Sequence, residues 1–134
     1  MARAPELLAL DQPNFARTGG LHAACAIAAN GKVLASAEDI GRHNAVDKVV
    51  GKLLYAHALP RLDADGAEPV LLAVSGRASF EIVQKAAMAG FACVASISAP
   101  SSLAIETAQA LGITLAAFVR GGRFALYAHP ECVV

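Results

Sequence analysis

Val70-Leu71-Leu72-Ala73-Val74-Ser75-Gly76 and Cys93-Val94-Ala95-Ser96-Ile97-Ser98 are the two stretches whose reading decides the fold. Each is an apolar run, too short for a helix, that breaks off at small polar residues. Between them Phe80, Val83, Ala86 and Ala87 recur at helical spacing as far as Gly90. Glu81 and Lys85 on that helix stand i,i+4, a spacing that favours an ion pair. Beyond the second run, Leu103, Ala104, Thr107, Ala108 and Leu111 form another helix, stopped by Gly112, and Thr114 to Val119 is a third run. The order is β-α-β-α-β, which right-handed crossovers turn into a parallel sheet. Unbroken runs in place of alternation fit strands buried on both faces.

Working outward, Asn30-Gly31 predicts a two-residue type I′ hairpin turn between strands over 21–29 and 32–37. Val46, Val49, Val50, Leu53 and Leu54 predict an amphipathic helix over about residues 42–58. Leu59 to Pro69, rich in charge, Pro and Gly, reads as a surface loop. Gly121-Gly122 is a turn, and Phe124 to Ala128 a last strand. The expected architecture is α/β, one mixed sheet in a three-layer α/β/α sandwich. Residues 1–134 form a single domain, with 1–16 as an N-terminal extension and 17–131 as the core.

Composition narrows the function classes. The chain has 134 residues, 56% hydrophobic and 16% charged, with a formal net charge of zero. Its pI of about 6.9 leaves no broad basic footprint for nucleic acid or an acidic membrane. No run of 18 apolar residues occurs, and residues 1–6 lack the apolar stretch of a signal peptide. Three cysteines, Cys25, Cys93 and Cys132, share no Cys-x-x-Cys spacing, which points to a reducing cytoplasm.

Charge is concentrated in Glu38-Asp39-Ile40-Gly41-Arg42-His43-Asn44-Ala45-Val46-Asp47-Lys48, where six of eleven side chains are charged or imidazole. His43 and Asp47 lie one helical turn apart, so the carboxylate is expected to orient the ring. Asn44 and Lys48 share the neighbouring row. The same pattern is also that of a solvated, ion-paired helix face.

Two loops, Ser75-Gly76-Arg77-Ala78-Ser79 and Ser98-Ala99-Pro100-Ser101-Ser102, follow parallel strands and open helices. Open α/β sheets bind ligands at the carboxyl ends of strands, and helix N-termini favour anions. Ser79, Ser101 and Ser102 fit either an anion site or plain N-caps. Arg77 can pair bidentately with phosphate. Arg120-Gly121-Gly122-Arg123 brings further positive charge to the same sheet edge, or is a hairpin with solvated arginines. His22, alone at a strand start, reads as structural. A zinc deaminase needs His-x-Glu together with Pro-Cys-x-x-Cys, and the pair does not occur. Nor does a Gly-x-Ser-x-Gly elbow or a Walker loop. The residues alone describe an α/β domain for an anionic ligand, a nucleotide by preference.

Several blocks resemble the C-terminal domain of the FdhD family, the sulfur-carrier accessory proteins of formate dehydrogenase. They are Thr18-Gly19-Gly20-Leu21-His22, Glu38 to Lys48, Ser75 to Glu81, Ser98 to Ala104, and Gly121-Gly122-Arg123 through Pro130. The resemblance implies a cytidine-deaminase-like fold without zinc chemistry, a homodimer, and a cytoplasmic setting. It also implies binding of the molybdenum bis(guanine dinucleotide) cofactor, for which GDP is a mimic. A cysteine desulfurase would load sulfur destined for that cofactor before its insertion into formate dehydrogenase. Carried onto this sequence, Arg42, His43, Asn44 and Lys48 line the nucleotide pocket, as do Ser75, Gly76, Arg77, Ser79, Ser98, Ser101 and Ser102. The family holds its persulfide on a Cys-x-x-Cys loop that these 134 residues lack, so the expectation is cofactor binding without a persulfide cysteine. Two other readings stand beside it. One is a small deaminase-like hydrolase with His43 and Asp47 as an acid–base pair; the other is a structural subunit pairing with a separate Cys-x-x-Cys chain.

Overall fold

A computed structural model describes residues 1–10, 12–56 and 69–133. Helices α1 (Ala4–Ala9) and α2 (Pro13–Thr18) precede the hairpin β1 (His22–Ala28) and β2 (Val33–Asp39). Helix α3 (Arg42–Tyr55) is followed by β3 (Pro69–Val74), α4 (Phe80–Met88), β4 (Cys93–Ser96), α5 (Ser102–Leu111), β5 (Thr114–Arg120) and β6 (Arg123–Ala128). A 3-10 turn spans Pro130–Cys132. The six strands form one mixed sheet in the order β2-β1-β3-β4-β5-β6. Pairings β3–β4 and β4–β5 are parallel, and the others are antiparallel.

The order explains the layers. Strands β3, β4 and β5 advance in one direction, so right-handed crossovers put α4 and α5 on the same face, and α3 joins them there. Ala24, Leu72, Val74, Val94 and Leu115 point into that helical side; Ala23, Cys25, Ile27, Ala73 and Ala116 point to the other. Buried alanines on the helices (Ala45, Ala86, Ala104, Ala108) let the backbones approach the sheet closely. Phe91 and Leu53 are the largest fully buried side chains.

The second face is covered by the short α1, through buried Ala4 and Leu8 packed over β1, β3 and β5. Part of the expected extension, residues 1–16, is therefore core: without Ala4 and Leu8 the apolar face of β1 and β3 meets water. Helix α2 buries none of its residues; Glu38 holds it, accepting from the N–H groups of Asn14 (3.1 Å) and Phe15 (2.9 Å).

Two local expectations change. The β1–β2 turn is not type I′, because Gly31 (φ +86°) has a positive φ and Asn30 does not. Gly31 N–H donates to Ala28 O (2.9 Å), giving a three-residue loop of a type I turn followed by a left-handed glycine. The two-residue geometry falls at β5–β6, where Gly121 (+56°) and Gly122 (+74°) are both left-handed. The second change is at Lys85, whose ammonium reaches the Asp47 carboxylate (2.6 and 2.7 Å) and so ties α4 to α3. The helix end at 57–58 and most of the 59–69 loop lie outside the described residues, and Pro69 opens β3, a place where its missing N–H is tolerated.

Candidate functional site

At the carboxyl edge of the parallel strands the two serine loops are stitched together. Ala78 N–H donates to Ala99 O (3.2 Å) and Ser101 N–H to Ala78 O (3.0 Å), extending the β3–β4 pairing past the strands. Beneath them the fully buried Ser96 hydroxyl donates to Gly76 O (2.7 Å) and accepts from Ser98 N–H (3.1 Å). Ser75 is anchored to β1, its N–H on Ala23 O and its hydroxyl accepting from Ala23 N–H, both at 2.9 Å. Ser96 was not singled out as a site residue; its one signal was a polar side chain closing an apolar strand.

Helix α3 delivers its first residue to this edge. A side-chain carbon on Gly76 would lie 3.2 Å from His22 Nδ1 and 3.3 Å from Arg42 Cδ. Glycine leaves room for this close approach of loop, imidazole and guanidinium stem; a methyl group would make the two side chains give by a few tenths of an ångström. The Arg42 Nε atom is buried with no hydrogen-bond partner, an arrangement that costs free energy unless a ligand completes it. The Ser79 hydroxyl, at the N-cap of α4, lies near the Glu81 carboxylate without closing a hydrogen bond of ordinary geometry. Glu81 sits below the usual carboxylate range, held first by its own backbone N–H, with His43 and Arg42 adding positive potential. Neither His22 nor Glu81 was among the expected pocket residues; the fold brings both to it.

Other expected residues are already engaged. Asp39 accepts from Gly41 N–H (2.9 Å) and Asn44 Nδ2 (3.2 Å), and Lys48 Nζ lies 2.6 Å from its other oxygen. The Lys48 ammonium foremost, then the Gly41 N–H and the Asn44 amide, pull the Asp39 carboxyl down to about 2. Ser101 caps α5, accepting from Ala104 N–H at 3.1 Å. Asp47 is bonded to Lys85, so the expected orientation of His43 by Asp47 is replaced by a bridge between helices. Arg77 and Ser102 are exposed at the loop tips, and Ser98 lends its carbonyl to Phe118 N–H (3.1 Å). Much of the charge crowded into 38–48 is therefore framework; Arg42 lies against Gly76, and both Arg42 and His43 act on Glu81 in the first turn of α4.

The thiols lie elsewhere. Cys25 is fully buried in the sheet, and burial pushes its thiol up to about 12. Burial also raises Cys93; Cys132 is exposed beyond β6. The single His-x-Glu, His129-Pro130-Glu131, follows β6 at the opposite sheet edge, its imidazole bonded to Glu131 (3.0 Å) and Gln109 O (3.1 Å).

A family model described as FdhD/NarQ matches residues 1–134. The chain belongs to the FdhD/NarQ family. A sulfur carrier protein FdhD from Anaeromyxobacter sp. (strain K) is 59% identical over 131 residues, covering 98% of this chain and 46% of the relative. The homologue from Thermoplasma acidophilum is 52% identical over 130 residues, 97% of this chain and 44% of its own. The chain thus spans just under half the length of these FdhD relatives. A crystal structure described as a formate dehydrogenase accessory protein, from Desulfotalea psychrophila, superposes with a TM-score of 0.81 at 29% identity, covering 99% of this chain and 57% of that one. The protein NE0047, solved with 2,6-diaminopurine, superposes at 0.66 with 19% identity over 87% of this chain and 72% of its own, a likeness of fold alone. The likeness to the Desulfotalea psychrophila protein bears out the expected α/β fold built on one mixed sheet. Among the described residues no helix is long and apolar enough to cross a membrane.

Proposed function

We propose that this chain binds the guanine dinucleotide form of the molybdenum cofactor during formate dehydrogenase maturation, in the step that sulfurates the cofactor. The observation that carries the reading is Arg42, whose buried Nε lacks a partner beside a glycine loop that a single methyl group would crowd. A phosphate oxygen there would accept from the guanidinium and from loop N–H groups, a charge-assisted arrangement. Arg42 and Arg77 supply the charge, His43 a ring N–H, with Ser79 and Ser102 as hydroxyl donors. Ser75, Gly76 and Ser98 form the floor, and Asn44, Lys48 and Ser101 hold the frame. When bound, the cofactor would supply the metal centre that is to be sulfurated, and these residues would bind and orient it.

Sulfur loading calls for an accessible, activated thiolate. Cys25 and Cys93 are held protonated by burial, and Cys132 lies beyond β6, at the sheet edge opposite the serine loops. In this reading none of the three carries the persulfide; a cysteine desulfurase loads a thiol outside these three, and formate dehydrogenase receives the finished cofactor. The hydrolase reading calls for His43 and Asp47 as an acid–base pair, and the ion pair of Asp47 with Lys85 weighs against it.

Calorimetry with GDP and ADP tests the proposal. Binding selective for GDP, and weakened at least ten-fold in Arg42→Ala, is the expected result. Equal affinity for both nucleotides, or an unaffected Arg42→Ala variant, would overturn it.

A further inference from the structure

Phe118 is the one bulky side chain in β5 whose backbone is left-handed, with φ +53°. Such a conformation is an outlier for a large residue and persists only where the surroundings impose it. Here the constraint is visible. The register of β5 against β6 breaks between Ala117 and Arg120, and Phe118 N–H turns away from β6 to donate to Ser98 O. The irregularity therefore serves the second serine loop: it ties the end of β5 to residues 98–102. It also leaves the Phe118 ring 42% exposed, although a core position is what a Phe in a buried central strand normally occupies. Its aromatic neighbour Tyr127 lies at 6.4 Å between centroids and tilted by 51°, which supports one side of the ring without covering it.

The position along the sheet edge matters as much as the exposure. Arg42 and Gly76 stand at the end of β3, the second serine loop at the end of β4, and Phe118 at the end of β5. Strands lie about 4.8 Å apart, so the ends of β3 and β5 that carry Gly76 and Phe118 are separated by roughly two strand spacings, on the order of 10 Å. An anion site at one end of that span and an exposed aromatic face at the other match the two ends of a nucleotide laid across the strand ends.

We propose that Phe118 stacks on the purine base of the nucleotide whose phosphates are held by Arg42 and the 75–79 loop. The inference rests on the nucleotide reading above and adds the group that receives the base. Stacking on an aromatic ring tolerates any planar base, so Phe118 supplies affinity for the heterocycle, and the choice of guanine falls to hydrogen bonds elsewhere.

The test compares GDP with inorganic pyrophosphate, which has the phosphates and no base, by calorimetry on the intact chain. Phe118→Gly removes the ring and accepts the left-handed backbone without strain, so loss of folding is not the expected outcome. The prediction is that Phe118→Gly weakens GDP about ten-fold or more, leaves pyrophosphate unchanged, and that Phe118→Trp restores GDP. Unchanged GDP binding in Phe118→Gly, with the Arg42→Ala loss intact, overturns the stacking role and spares the nucleotide site. Parallel loss of GDP and pyrophosphate overturns it in favour of a role in shaping the serine loop. A lower sedimentation mass for Phe118→Gly than for wild type overturns it in favour of a contact between subunits. Wild-type protein that binds neither compound sinks both readings together.

Discussion

At the scale of single residues the charge cluster divides by geometry into frame and site. Asp39 collects a lysine, an amide and a backbone N–H and is the knot that fixes the start of α3, while Arg42, three residues on, has an unmatched buried nitrogen. That knot has a pH signature. The folded carboxyl, at about 2, is below its ordinary value of 3.8. The stabilisation from Asp39 is therefore complete above pH 3.8 and is lost as pH falls toward 2. In thermal melts the gap between wild type and Asp39→Asn should be constant from pH 7 to about 4 and then close; a gap that persists at pH 2 would reject the assignment. None of this division was visible in the sequence, because i,i+4 arithmetic pairs His43 with Asp47 and Glu81 with Lys85. The fold offers Asp47 and Lys85 each other across two helices at 2.6 Å.

At the scale of elements, both serine loops looked alike in sequence, and each was open to reading as cap or anion site. They differ in structure. Ser101 caps α5 through Ala104 N–H, whereas Ser79 makes no such bond to α4. Ser101→Ala should therefore cost about 1 kcal/mol of stability, as loss of an N-cap does, while leaving GDP affinity within two-fold of wild type. Chemical denaturation and calorimetry on one preparation check both halves, and a collapse of GDP binding would reassign Ser101 to the ligand. Element identity and order were legible from β1 onward, since periodicity and glycine stops depend on local chain geometry, whereas the short α1 and α2 fall in or beside what reads as an extension. The type of the β1–β2 turn was not: Asn-Gly permits type I′, yet a register shift after Ala26 in β1 lets the longer loop close instead.

At the scale of the whole molecule, the helices α3, α4 and α5 share one core with one sheet face, and Phe91 fills it from the α4–β4 connection. Phe91→Ala should lower the unfolding free energy by about 3–5 kcal/mol, read as a fall in denaturation midpoint without a change in slope. A loss under 1 kcal/mol would mean that the core closes over the gap. The other face depends on residues 1–10, which carry two buried side chains where the sequence reads as an extension. Short apolar runs, their helical spacers and the right-handedness of crossovers were enough to determine a mixed α/β sheet and the edge to which both serine loops come. These are properties of neighbouring residues and of chain chirality, and any reader of the sequence has them. Tertiary structure alone decided which charges are spent on the frame, that His22, Gly76 and Arg42 meet, and that Phe118 turns outward beside Ser98. The last two sets of contacts join residues 20 to 54 positions apart, and side-chain distances over such separations follow from packing and register, which no local pattern encodes.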